Sequence, residues 1–358
     1  MRKKIGIVTL FGTKNYGNRL QNLAVQTCLT KRGFSVESIV WKPSRLKWRA
    51  YPLYVFFKAK VKKDPEAKRT HSFLHFNSRY CPTRFIYSKN RSIPTKIRDG
   101  YDYFITGSDQ VWNTNSFGKD TFQDELSLYF LKFAKDAQKV CICPSIGIAH
   151  FKDEHVEAVR QALQGFRYLS CREKQGADEL NRITGRSCEW LIDPTLCVTR
   201  EEWLEILSIQ QKQRKNPYLL LFFLDGMSTE LEQFIREYAA GRYEIINPSD
   251  PASPWYSIDP SAFVLLLSEA NMVFTDSFHV TAFSINFQVP FYVFNRIKSR
   301  TMTSRIESIC ELFQLQSRYI LEQKPFEILE KCDFGPAERQ LVVEREKFEA
   351  YLDKCFET

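Results

Sequence analysis

Residues whose types could carry chemistry fall at the breaks between apolar runs. The clearest break lies in VFTDSFHVTAFSINFQVPF, residues 273–291. A strand-like run ends at Thr275-Asp276-Ser277, and a helix-like run follows His279, one of only five histidines. An imidazole titrates near neutrality, so it can give and take a proton at physiological pH. Backbone N–H groups at a helix start favour an anion. His279 is therefore either an acid/base group beside an anion site or a core histidine satisfied by Asp276 or by backbone. Four more breaks carry Gly or polar residues: Asn15-Tyr16-Gly17, Gly107-Ser108-Asp109-Gln110, Ser145-Ile146-Gly147 and Arg172-Glu173.

The surrounding pattern says what holds these breaks in place. KKIGIVTLF is strand-like and FGTKNYGN a turn. Leu20, Leu23, Ala24, Cys28 and Leu29 mark a helix face that Gly33 ends, and FSVESIVW is the next strand. This β–turn–α–β unit opens a doubly wound α/β domain. A second alternation starts at KNPYLLLFFLDG and runs through YEIINP, NMVFTDSFH and PFYVFNR. The expected organisation is a domain over 1–205 with a basic, aromatic insertion at 41–100, a second α/β domain over 206–335, and a helix over 336–358. WLIDPT is expected as a strand that Pro194 ends. In such domains ligands sit at the carboxyl ends of strands, where all five breaks lie.

The chain has 358 residues and a net charge of +9, with the composition of a globular protein. Residues 41–70 hold ten Lys or Arg against two acidic residues, interleaved with Trp41, Trp48, Tyr51, Tyr54, Phe56 and Phe57. A solvated surface is one reading of this segment. A patch for an anionic partner is the other, with a membrane interface favoured over nucleic acid because basic residues mixed with Trp and Tyr suit that interface. No run is long enough for a membrane span and no secretion signal is expected. The ten cysteines are dispersed and read as small buried thiols of a reducing cytoplasm. No metal site is expected: there is no D-x-D pair, and His71 and His75, spaced i, i+4, lack a third ligand. Dinucleotide and P-loop patterns are absent.

NYGNRLQNLAVQTCLTKRGF, DYFITGSDQVWN, SCREKQGADELNRITG, IDPTL and TDSFHVTAFSINFQVPF, in that order, resemble the polysaccharide pyruvyl transferase family. The resemblance runs from the first strand to about Arg318; residues 41–100 and the last 40 match poorly. It implies two Rossmann-like domains facing each other, as in GT-B glycosyltransferases. It also implies phosphoenolpyruvate as co-substrate with no cofactor, and a cyclic pyruvate ketal made on a cell-surface glycan or its lipid-linked precursor. His279 would then serve as acid and base. Arg172, in an S-x-R-E turn, would hold the donor phosphate or carboxylate, or else pair with Glu173 or Asp193. Ser277 stands where one branch of the family has a donor-holding Arg, and Val280 where a related branch has Gly. Arg296 and Lys298 would replace that Arg, or be solvated loop charge. Asn15, Tyr16, Gly17, Gln21, Ser108 and Gln110 would line the cleft. Asp109 would orient an acceptor hydroxyl or act as a base, or else cap a helix. Trp112 is a sugar-stacking ring or a core residue. The competing functions are a GT-B-like glycosyltransferase using a nucleotide sugar and a non-catalytic glycan-assembly protein.

Overall fold

Parallel strands covered on both faces must be apolar throughout, and the sheets here follow that rule. The computed structural model describes residues 2–88, 91–210, 214, 216–297 and 303–356. The first sheet is β1 (Lys4–Val8), β2 (Ser35–Lys42), β3 (Thr83–Tyr87), β4 (Tyr103–Thr106) and β5 (Lys139–Cys141), all parallel, in the order β3-β2-β1-β4-β5. Helices α1 (Tyr16–Lys31), α2 (Arg45–Lys60), α3 (Pro65–Tyr80), α4 (Thr95–Arg98) and α5 (Phe122–Tyr129) lie between these strands in sequence. Then come α6 (Asp153–Leu163), β6 (Leu169–Cys171), α7 (Lys174–Thr184), β7 (Cys188–Trp190) and α8 (Pro194–Cys197), with β6 and β7 paired in parallel.

The second sheet is β8 (Tyr218–Phe222), β9 (Glu244–Ile246), β10 (Met272–Thr275), β11 (Phe291–Phe294) and β12 (Tyr319–Ile320), in the order β12-β11-β10-β8-β9. Every residue of β8, β10 and β11 is buried. Its helices are α9 (Arg200–Ile206), α10 (Thr229–Ala239), α11 (Pro260–Ser268), α12 (Phe278–Phe287) and α13 (Thr303–Leu312); α14 (Gly335–Phe356) is the last described element. Ser228 and Asp259 cap α10 and α11, and a Thr199–Glu202 capping box starts α9.

The chain divides into two compact units, Met1–Val55 with Asn77–Cys197 and Glu344–Thr358, and Phe56–Phe76 with Val198–Val343. This differs from the sequence division at 205 and 336. Residues 56–76 group with the second unit because Arg69 donates to the carbonyls of Pro248 (2.9 Å) and Tyr256 (2.8 Å), and Ser72 to that of Ser257 (2.7 Å). Helix α9 joins that unit through Trp203, whose ring lies 5.1 Å from Phe283. The end of α14 belongs to the first unit. Its fully buried Tyr351 donates to the Cys141 carbonyl (2.9 Å), and Arg32 of α1 pairs with Glu349 and Asp353 (2.5 Å each).

Three local expectations change. The strand near WLIDPT lies earlier, over Cys188–Trp190, and Pro194 begins α8 instead of ending a strand, since its fixed φ suits a first helical position. The segment 41–100 supplies α2, α3, α4 and the edge strand β3. Trp112 is fully buried and stacked on Phe130 at 5.1 Å, so it belongs to the core.

Candidate functional site

In a doubly wound sheet the ligand crevice opens where the strand order reverses. In the first unit that point lies between β1 and β4, and the residues after those strands are bound to each other. Asn15 caps α1, its Oδ1 accepting from the Asn18 amide (3.0 Å). One turn on, Asn18 Nδ2 donates to Asp109 Oδ2 (2.8 Å). Gln21 Oε1 accepts from both the amide (3.1 Å) and the hydroxyl (2.8 Å) of Ser108. Gly107 makes this possible: it has φ +121°, and a Cβ there would collide with the Ile142 carbonyl. Gln110 donates its amide to Asp109 Oδ1 (2.7 Å). Tyr16 and Gly17 sit inside the first turn of α1, both buried; Gly17 is helical and forms no turn of its own.

Arg172, just after β6, is completely buried among three carboxylates: Asp193 at 2.7 Å, Asp109 at 3.7 Å and Glu173 at 3.8 Å. Burial lowers its pKa, but Asp193, Glu173 and Asp109 outweigh that and hold the guanidinium charged. The paired alternative for Arg172 is thus the one with geometry behind it. Asp193 is fixed in turn by the amide (3.0 Å) and hydroxyl (2.8 Å) of Thr195. Arg172 therefore holds Asp109 on the α1 side of the crevice.

In the second unit the order reverses between β8 and β10. Asp276, the first residue after β10, is fully buried, and its oxygens accept from the amides of Leu224 (2.7 Å) and Asp225 (3.0 Å), which follow β8. Arg296, after β11, places Nε 3.9 Å from the same carboxylate. One side chain thus joins the ends of three neighbouring strands. Burial raises the Asp276 pKa, against those two amides and Arg296. Ser277 is the residue before α12, and its amide donates to Thr275 Oγ1 (3.0 Å). His279 is the second residue of α12, half-buried, its ring 5.5 Å edge-to-face from Phe278. Lys298 lies outside the described residues. No group of three or more His, Cys, Asp or Glu among the described residues is arranged to hold a metal ion.

A model of the polysaccharide pyruvyl transferase family matches residues 15–298, which takes in both switch points. The chain belongs to this family. It is therefore a transferase of the kind that acts on saccharide acceptors. No curated protein matches the chain in sequence. Among solved structures it is similar to the UDP-GlcNAc 2-epimerase from Neisseria meningitidis bound to UDP-GlcNAc, at 11% identity over 98% of this chain and 100% of that one (TM-score 0.47). It is also similar to the E. coli heptosyltransferase WaaC with ADP-2-deoxy-2-fluoro heptose, at 13% identity over 82% and 88% (TM-score 0.37).

Within this pyruvyl transferase framework the structure adds residues that the motifs did not single out. Asn18 is the link between Asn15 and Asp109. Arg305 of α13 is buried, with its guanidinium 5.9 Å from the Phe278 ring at the start of α12. It is a second cation, besides Arg296, beside the segment 276–278. Arg19, also unforeseen, is fully buried in the first turn of α1. Its guanidinium donates to Asn18 Oδ1 (3.0 and 2.6 Å) and to the Leu10 carbonyl. The available signal was a run of polar residues, Asn18, Arg19, Gln21, Asn22 and Gln26, in a helix that had to pack on a sheet; all five are buried. Val280 is buried as well.

Proposed function

We propose that the protein transfers the pyruvyl group of phosphoenolpyruvate to two hydroxyls of a saccharide, forming a cyclic ketal and releasing phosphate. The observation that carries this is His279. In a chain of this family it sits in the first turn of the helix that starts at the second unit's switch point, where Asp276 and Arg296 are also found. The helix N-terminus and Arg296, with Arg305 nearby, supply positive potential for the donor's phosphate and carboxylate.

The chemistry follows from the donor. His279 delivers a proton to the methylene carbon, leaving C2 electron-poor. One saccharide hydroxyl adds to C2. The C2–O bond then breaks with its electron pair leaving on phosphate, and the second hydroxyl adds to close the ketal. Of the two hydroxyl protons, one restores His279 and the other departs on phosphate, so the step is balanced without a cofactor. In this reading Asp109, held by Asn18 and Arg172 within the first unit, orients an acceptor hydroxyl, with Ser108, Gln21 and Gln110 beside it.

Helix α2 supports a lipid-linked acceptor and a peripheral position at the inner membrane face. It exposes Leu46 (81%), Leu53 (72%), Tyr54, Phe56 and Phe57 among Arg45, Lys47, Arg49 and Lys60, an apolar and cationic surface suited to an anionic lipid interface. No helix among the described residues is long and apolar enough to cross a membrane.

The test is calorimetric titration of phosphoenolpyruvate into wild type, Arg296→Ala and His279→Ala, with uridine diphosphate as control. Saturable binding weakened about tenfold or more by Arg296→Ala is expected, since one charge-assisted contact is worth about 1.5–3 kcal/mol. Binding of the nucleotide with no binding of phosphoenolpyruvate would refute the donor assignment.

A further inference from the structure

Two cations in the first unit stand together, and among the described residues no carboxylate is bonded to either. Arg19 is completely buried, and its Nη1 has no hydrogen-bond partner. Lys42, the last residue of β2, is half-buried. Among the described residues its ammonium meets aromatic faces: Trp48 at 3.8 Å and Phe11 at 5.2 Å from the ring centroids. The Arg19 guanidinium lies 4.6 Å from the same Phe11 ring. Phe11 follows β1, Arg19 opens α1, and Trp48 opens α2. The cluster is therefore at the carboxyl end of the sheet, on the β2 side of the switch point.

Burial and the Arg19 charge pull the Lys42 pKa down to about 8, and burial pulls Arg19 down to about 10. Two like charges close together, one of them fully buried with an unpartnered Nη1 and the other half-buried against ring faces, are destabilising. Asp109 is near Arg19, but it is bonded to Asn18 and lies within 3.7 Å of Arg172. The charges of this crevice are thus segregated. Carboxylates collect around Arg172, and around Phe11 stand two cations whose hydrogen-bond acceptors, where there are any, are neutral.

We infer that Arg19 and Lys42 form an anion subsite, walled by Phe11 and Trp48, which takes a phosphate or diphosphate group carried by the saccharide acceptor. Assignment to the acceptor rests on the proposal that the donor binds beside His279 in the second unit; the anion subsite itself does not. Lys42 is the solvent-accessible member, so the phosphate approaches from its side and Arg19 Nη1 backs it. The aromatic walls exclude water and strengthen the attraction. Trp48 belongs to the helix whose outer face carries Leu46 and Leu53, which fits an acceptor with its diphosphate at the protein and an apolar tail at a lipid surface.

The experiment uses the full chain, with pyrophosphate and phosphoenolpyruvate as separate calorimetric probes against wild type, Lys42→Met and Arg296→Ala. Lys42→Met removes a charge whose ammonium gains no hydrogen bond among the described residues, so its melting temperature should equal or exceed that of wild type. Arg19→Lys is the second variant. The expected result is pyrophosphate affinity reduced at least tenfold by Lys42→Met and by Arg19→Lys, and unchanged by Arg296→Ala. Phosphoenolpyruvate affinity should respond only to Arg296→Ala. If Lys42→Met abolishes binding of both probes, the subsite holds the donor and the acceptor assignment is overturned. If pyrophosphate does not bind, or binds equally well to Lys42→Met, there is no subsite. If pyrophosphate binding depends on Lys42 while phosphoenolpyruvate binds nowhere, the subsite stands and the donor proposal fails.

Discussion

Replacing Arg172 by methionine keeps most of its volume and leaves Asp193, Glu173 and Asp109 without their shared cation. Two of these carboxylates are buried almost completely: Asp193 at 0% and Glu173 at 4% side-chain exposure. Breaking a buried ion pair costs about 3–5 kcal/mol, and a unit of this size loses about 2–4 °C per kcal/mol, so its melting temperature should fall by about 6–20 °C. The lower half of that range is expected, because Asp193 keeps its Thr195 bonds and Glu173 keeps Ser145 and Cys171. Adding Asp193→Asn should restore about 1 kcal/mol or more. Scanning calorimetry, which can resolve separate transitions for the two units, is the assay. A loss below about 1 kcal/mol with no rescue by Asp193→Asn would refute the account of Arg172 as a structural hub.

Three further outcomes are expected. Asp276→Ala strips the acceptor from the Leu224 and Asp225 amides and should cost about 2–6 kcal/mol, seen in the second unit's unfolding transition. Because burial raises the Asp276 pKa, its charge costs stability above the unfolded value of about 4, and wild type should gain on Asp276→Asn as pH falls from neutrality towards that value. Sulfate keeps its charge across neutral pH, so its affinity should drop as pH rises through about 8, where Lys42 loses its proton; Arg19 at about 10 and Cys81 at about 11 do not titrate in that window. A flat profile, or the same profile in Lys42→Met, would count against that cluster. Changing Lys47, Lys60, Lys62 and Lys63 together to Gln should reduce co-sedimentation with anionic vesicles at least about tenfold; unchanged sedimentation would remove the membrane role of α2.

The second unit was largely legible because YLLLF, MVFT and FYVF are uninterrupted apolar runs, the signature of strands buried on both faces. The break after MVFT falls where the strand order reverses, with Asp276 and Ser277 directly beyond β10 and His279 in the first turn of α12. Helix α2 was not legible. Its inner stripe of Trp48, Tyr51, Val55 and Ala59 is helical in spacing, but exposed Leu53, Phe56 and Phe57 fill the other face, and Pro52 sits within it. Arg19 and Lys42 were passed over because a cation near a helix start or strand end is normally solvated. Only packing revealed that the surrounding rings remove it from water. Arg172 was singled out by its motif, but the choice between donor contact and ion pair depended on Asp109 and Asp193, 63 residues before it and 21 after it in sequence.

Neither unit is one continuous stretch of chain, and this sets a timetable for synthesis. The ribosome makes residues 56–76 long before the 198–343 segment to which Arg69 and Ser72 bind. It makes most of the first unit long before residues 344–356 arrive to seat Tyr351 against Cys141. The usual N-terminal-first order of domain folding is therefore not open to this chain: the second unit is complete at residue 343, and the first only after residues 344–356 have been made. A truncation ahead of residue 344 would damage the first-made sheet, while the one nearest the cut kept its contacts.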